Sequence, residues 1–460
     1  MLLIFCNNNY KPEREYICQV LLSEFLGIEY EIKFQDRKNW LISDSNKFIK
    51  ILLPDILFQT PPEDWLTEKS LPSRPLQIWD ISKHGIDCPV VNKKIPLIYA
   101  DKTSIFSSSN EHTNIPVDVF GSVFLMLTGY EEVAQPALSR DGHGRIPAAQ
   151  SLAFQENFLG RPIVNEYLEI LWSFLHRHWP QLLRKNKEFR CLPSHDIDIP
   201  FKYYITPMTS IFLSLGADFM LRKDLRLGTK NLIDFIKVMA GRKDDPFDTF
   251  GLIMGLSERY GLRSAFYIMT GGSTTYDGCR YPIDHPLIQG IISRITERGH
   301  EIGFHPSYAS ATNQAIWGRE FNKLIKTNPN LDITGGRQHY LRFKIPFTWR
   351  FWAENRFRYD CSLAFADHSG FRCGTCYEFQ AYDLLERCML PVKERPLVVM
   401  ERTVLDKDYM GISSHDKVFE HVCHLKNCCR LFNGDFTILW HNHRLCQNPD
   451  IYLYKSILKA

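Results

Sequence analysis

From residue 189 onward, short apolar runs of strand length alternate with runs of helical spacing, and this alternation constrains the fold more than any other feature. The stretch 191–200 opens the pattern, and 264–269, 300–305 and 436–440 repeat its form: apolar, short and closed by polar residues. Helical segments lie between them. The segment 248–260 is closed by Gly261. The segment 286–298 puts Ile288, Ile291, Ile292 and Ile295 on one face and stops at Gly299, and 414–432 is stopped by Gly434. Strands that alternate with helices pair in parallel, in an open sheet or a closed barrel. Such sheets gather ligands and catalytic groups at their carboxyl edge.

Three strand ends carry such groups. Asp196 and Asp198 stand two residues apart, so an extended chain points both to one side. Carboxylates held side by side require a cation, a shared proton or water. His305 and His441 end two further apolar strands. Two carboxylates and two histidines from separate strands suffice for metal-assisted hydrolysis. Asp198 and His305 would bind a divalent ion, Asp196 would take a proton from water, and His441 would give one to the leaving group.

Residues 1–188 read as a separate unit. Helical spacing over 15–26 ends at Gly27, Tyr30, Ile32 and Phe34 alternate as a strand, and 161–179 is an amphipathic helix. Pro180 and the basic stretch 184–187 mark a boundary, so the expected units are 1–188 and 189–460. A net charge of +3 gives no argument for nucleic acid, and no apolar stretch approaches the roughly 18 residues of a membrane span. The N-terminal apolar run is too short for a secretion signal, so the 13 cysteines are expected as thiols in the cytoplasm. Cys361, Cys373, Cys376 and Cys388 contain a single Cys-x2-Cys knuckle and are read as thiols before zinc ligands. The basic run around Arg222, Lys223, Arg226 and Lys230 alternates with apolar residues. Its default reading is a solvated helix face, with peripheral contact to a membrane or a lipid-linked glycan as the lesser one.

Over 189–445 the chain resembles the polysaccharide deacetylases of the NodB-homology type, carbohydrate esterase family 4. Ser194-His195-Asp196-Ile197-Asp198 stands where that family has Thr-Phe-Asp-Asp. Gly299-His300-Glu301-Ile302-Gly303-Phe304-His305 resembles its Gly-His-Glu-Ile-Gly-x-His, and this is the most specific match. Arg337-Gln338-His339-Tyr340 resembles Arg-x-Pro-Tyr, Tyr359-Asp360-Cys361-Ser362-Leu363 resembles Tyr-Asp-Ser-Ser-Leu, and Leu439-Trp440-His441 matches the closing Leu-x-His. The resemblance implies a distorted (β/α) barrel preceded by a smaller α/β domain, and removal of acetyl from an N-acetylated sugar in surface polysaccharide synthesis. It further implies a divalent ion (Zn, Co or Mn), Asp196 as base, Asp198 and His305 as ligands, Arg337 orienting the base, and His441 as acid. The backbone N–H of Tyr340 would hold the oxyanion. Tyr308 and Trp440 are expected toward the sugar, and Arg342 toward an acidic substrate or a structural carboxylate.

Two departures stand out. Ile197 separates the aspartates, which leaves open which is base and which is ligand. Ala309 occupies the place of the family's second metal histidine. His195, His285 and His339 are the spare candidates, and His339 is preferred for its place in a motif. Without a third ligand, the alternatives are a metal-independent amidohydrolase acting on a non-peptide C–N bond, or a non-catalytic glycan-binding protein. Asp118 to Ser122, Tyr130-Glu131-Glu132 and Arg161 to Val164 resemble an uncharacterised domain found ahead of such deacetylase modules in bacteria.

Overall fold

The computed structural model describes residues 1–460 apart from 46–47, 101–104, 221–224, 273 and 279–280. The apolar N-terminal run is a strand, β1 (Leu2–Cys6), as its length suggests. It is followed by β2 (Tyr30–Phe34), β3 (Asn39–Ser43), β4 (Lys50–Pro54), β5 (Gln77–Asp80), β6 (Lys94–Leu97), β7 (Ser107–Ser108) and β8 (His112–Asn114). Six of these form one mixed sheet in the order β2-β1-β3-β4-β8-β7, and β5 and β6 pair separately. Every residue of the helix Val119–Thr128 is buried, as expected of a helix that is apolar on all sides. Asp118 starts it: Oδ1 accepts from Gly121 N–H at 2.8 Å, and Oδ2 accepts from Ile56 N–H at 2.8 Å and Leu57 N–H at 3.1 Å.

The second sheet contains β9 (Arg190–Ile197), β10 (Ala265–Ile268), β11 (Glu301–Phe304), β12 (Gly335–Gly336), β13 (Tyr359–Asp360), β14 (Phe379–Asp383), β15 (Cys388–Glu394), β16 (Val399–Met400) and β17 (Asp435–Leu439). Its order is β14-β15-β13-β12-β11-β10-β9-β17-β16, and every pairing is parallel except the β14–β15 hairpin. The two sides of this ladder meet in a single run of chain. β15 pairs with β13 through Lys393 and Glu394, and β16, only residues 395–398 further on, pairs with β17 through Val399 and Met400. One bent strand with Pro396 in its bend therefore closes the sheet into a distorted barrel. Ala265 and Tyr267 of β10, Tyr359 of β13, Met400 of β16 and Leu439 of β17 share one interior cluster, which only a curled sheet allows. Across that interior the hydroxyls of Tyr267 and Tyr359 lie 3.1 Å apart.

Gly303 and Gly336 leave no room for a Cβ between β11 and β12. A Cβ on Gly336 would lie 2.0 Å from the Phe304 carbonyl oxygen, and one on Gly303 would lie 2.6 Å from the Gly335 carbonyl oxygen. β11 and β12 approach this closely just before His305 and Arg337, so the backbone contact fixes where both side chains begin.

Between β9 and β10 the chain inserts two helices, Met208–Met220 and Leu225–Met239. Arg222 and Lys223 of the basic run lie outside the described residues. The two sheets share one continuous hydrophobic core, from Leu2 to Leu458. Tyr16 O–H donates to the Gln380 carbonyl at 2.8 Å, Glu13 pairs with Arg387 at 2.7 Å, and Asn165 Oδ1 accepts from Cys376 N–H at 3.1 Å. No helix among the described residues is long and apolar enough to cross a membrane.

Candidate active site

The alternation expected of β9 is present: His195 and Ile197 face the outer core, and Asp196 and Asp198 share the barrel mouth. Asp198 Oδ1 lies 3.1 Å from His305 Nε2 and 3.5 Å from His339 Nε2. The donor atoms of these three residues all fall within 4.8 Å of one another, a group able to hold a metal ion. Both imidazoles are oriented from behind. His305 Nδ1–H donates to the Arg337 carbonyl at 2.6 Å, and His339 Nδ1 faces the Asp277 carboxylate at 3.4 Å. Those bonds leave each Nε2 directed at Asp198, which is how metal-ligating histidines are held. Asp277 is itself fixed by the N–H groups of Thr274, at 2.8 Å, and Tyr308, at 2.7 Å.

Two further groups flank the three. Arg337, fully buried, donates from Nη1 to Asp196 Oδ1 at 2.7 Å, while Asp196 Oδ2 lies 3.8 Å from His305 Nε2. The other guanidinium hydrogens reach Ser194 Oγ at 2.8 Å and the Cys361 carbonyl at 2.8 Å. Opposite, His441 Nε2 lies 3.5 Å from Asp198 Oδ2, and its Nδ1–H donates to buried Glu401 at 2.5 Å. Burial pulls His441 down, but Glu401 and Asp198 outweigh it and raise it to about 10. Burial likewise lowers His339, and the Asp198 and Asp277 charges raise it to about 9. For Asp198, burial acts upward, yet His339, His305 and His441 hold its carboxyl well below the usual range.

Residues 2–180 match DUF7033, a family of unknown function. No curated protein matches the chain in sequence. Among solved structures, it is similar to a candidate polysaccharide deacetylase from Mycobacterium smegmatis, at 14% identity and a TM-score of 0.38, over 60% of this chain and 84% of that one. It is also similar to one from Pseudomonas aeruginosa PAO1, at 11% identity and 0.35, over 67% and 90%. The allantoinase Puue is similar at 11% identity and 0.35, over 59% and 83%.

The DUF7033 region contributes directly to the site. Its turn 141–145 reaches across the barrel mouth. Arg145, held by Asp141 at 2.7 Å, donates to the Tyr340 carbonyl at 3.0 Å and to Tyr409 O–H at 3.2 Å, and it lines the cleft beside Asp196, Asp198 and His441. His143 Nδ1 lies 3.1 Å from Tyr308 O–H. Arg342 donates to the His143 carbonyl at 2.9 Å and lies over the Tyr308 ring at 4.0 Å. Arg342 is thus a tie between the DUF7033 turn and the barrel, and Tyr308 stands at the rim with Tyr276 and Tyr340.

Other sequence-selected residues go elsewhere. Trp440, expected toward the sugar, is fully buried on the outer side of β17 against Tyr454, because alternation turns it away from its neighbour His441. His195 is buried with Nδ1 2.6 Å from the Trp440 carbonyl, and His285 caps the helix Pro286–Glu297 by accepting from Leu287 N–H. His300 accepts from Ser264 N–H at 3.1 Å and is structural. The Cys361 to Cys388 set forms no metal group among the described residues. Tyr340 takes a positive φ of 61°, and no acceptor for its N–H occurs among the described residues.

Sequence reading missed Glu401, Asp277 and Arg145. Glu401 had a signal: it ends the apolar run Leu397-Val398-Val399-Met400, as His441 ends its own. Asp277 sits in an irregular loop with no pattern around it.

Proposed function

We propose that the protein is a metal-dependent carbohydrate deacetylase that hydrolyses the acetamide of an N-acetylated sugar in surface polysaccharide synthesis, in the cytoplasm. The observation that carries this reading is the buried group Asp198, His305 and His339, flanked by Asp196–Arg337 on one side and His441–Glu401 on the other. The donor set fits a divalent ion: one carboxylate oxygen and two Nε2 atoms converge, and each imidazole is oriented through its other nitrogen. An ion held there would supply Lewis-acid activation of water and of the amide carbonyl.

The chain's own groups supply the rest. Asp196, whose Oδ1 is held by Arg337, accepts a proton from water at Oδ2 as the water oxygen adds to the amide carbon. The Tyr340 N–H donates to the developing oxyanion. His441, with Nδ1–H bonded to Glu401, gives its Nε2 proton to the amine nitrogen as the C–N bond breaks, leaving acetate and a free amine. With His339 in the donor set, Ala309 no longer argues for a metal-independent reaction. The twelve described cysteines, all free, fit a reducing compartment.

Acetate release from N-acetylated sugars and nucleotide sugars, with Zn²⁺, Co²⁺ or Mn²⁺ added, tests the proposal. Release abolished by Asp196→Asn is the expected result, and no acetate from any such substrate would overturn it.

A further inference from the structure

The two helices inserted between β9 and β10 carry an apolar face that no described part of the fold covers. They pack against each other and against Tyr203 through Ile211, Leu215, Phe235 and Val238. Outward they present Phe212, Leu213 and Met220 from the first helix, at 56%, 74% and 78% exposure. The second presents Leu225, Ile236 and Met239, at 70%, 56% and 54%. Single exposed apolar residues are ordinary, but a patch drawn from two adjacent helices marks an interaction surface. A solvated helix pair would be polar at these positions.

The charge around the face identifies what it meets. Within the two helices, the described cations are Arg226, Lys230 and Lys237, all exposed, and the described acids are Asp218 and Asp234. Both acids are engaged: buried Asp218 accepts from Asn231 at 2.7 Å, and Asp234 pairs with Lys243 at 2.7 Å. An apolar face with exposed lysine and arginine beside it complements anionic headgroups over an acyl layer. A second copy of the same face would instead bring like charges together. The surface also adjoins the site. A cavity of about 500 Å³ under the helices is lined by Tyr203, Ile211, Leu215 and Phe247, and by Ile199 and Gly278, the chain neighbours of Asp198 and Asp277.

We propose that this helical pair docks the protein on an anionic lipid bilayer, with the barrel mouth beside the membrane surface. At 13 and 15 residues the helices are too short to span, so they lie in the interface. Flotation of the full-length protein with vesicles of phosphatidylcholine, alone or mixed with phosphatidylglycerol, tests this. The expected result is binding to the mixed vesicles that weakens as salt rises. Leu213→Ser with Ile236→Ser should weaken it roughly tenfold or more at an unchanged melting temperature. Lys230→Glu with Lys237→Glu should act in the same direction. Absence of binding to either vesicle, or binding unaffected by both variants, would overturn the proposal. So would a dimer in sedimentation that Leu213→Ser dissolves, since a second copy would then cover the face. Binding is measured without substrate, so failure here leaves the deacetylase proposal standing, and the reverse also holds.

Discussion

At the scale of single residues, the barrel mouth divides its work by what stands behind each side chain. Asp198 faces three imidazoles, whereas Asp196 is held by a guanidinium with His305 at 3.8 Å, so two carboxylates two residues apart meet different partners. Glu401 is the clearest test of this division. Glu401→Gln keeps the shape but removes the charge that holds the His441 proton, so kcat should fall about 10²–10⁴-fold, with KM and metal content unchanged in parallel assays. An equal loss of metal would place Glu401 in the ligand set instead. His195, one position from Asp196, has a purely structural role. Burial lowers it to about 4, so below the unfolded value of roughly 6.5 the unfolded chain takes the proton first. Stability is complete above that window and falls with pH inside it, by about 2 kcal/mol between pH 7 and pH 5 from this group. Urea midpoints at the two pH values should differ more in the parent than in His195→Gln.

At the scale of elements, much was legible because strand ends announce themselves. β9, β10, β11 and β17 are short runs followed by polar residues; the last three lie within one residue of their expected bounds, and β9 ends at Ile197, three residues before the expected stop at Pro200. β12 and β13 are two residues long and carry no periodicity, so only motif resemblance pointed to Arg337 and His339. The apolar run 397–400 was there to be read, but its role in closing the barrel was not, since β15 and β16 pair on different sides of it. Trp440 shows the opposite error: a side chain chosen for its chemistry beside His441 was turned outward by strand alternation. The turn 141–145 gave no sign of its target 195 residues away. It holds the Tyr340 carbonyl, so Arg145→Ala should lower kcat about 10²-fold by loosening the peptide at the site, with a small change in melting temperature. A large loss of stability with unchanged kcat would make Arg145 a structural clamp alone.

At the scale of the whole molecule, the boundary near residue 188 separates two sheets but not two cores. Helix Val119–Thr128 sits between them, with Phe124 against both Tyr16 and Tyr382. Arg372 pairs with Glu132, and Val164 N–H donates to the Gly374 carbonyl at 2.8 Å. Residues 189–460 expressed alone would expose that surface and lose the turn that reaches the site. The fragment should aggregate or melt well below the full chain, and the full chain should unfold in one calorimetric transition. Two separate transitions would show that the sheets fold independently.

The central claim is that Asp198, His305 and His339 form one metal site. Its most direct test is the metal content of the purified protein after loading with Zn²⁺, Co²⁺ or Mn²⁺ and extensive dialysis, for the parent and for His339→Ala. About one ion per chain in the parent, with its loss in the variant, is the result this structure predicts. An ion retained equally in both, or in neither, would contradict it.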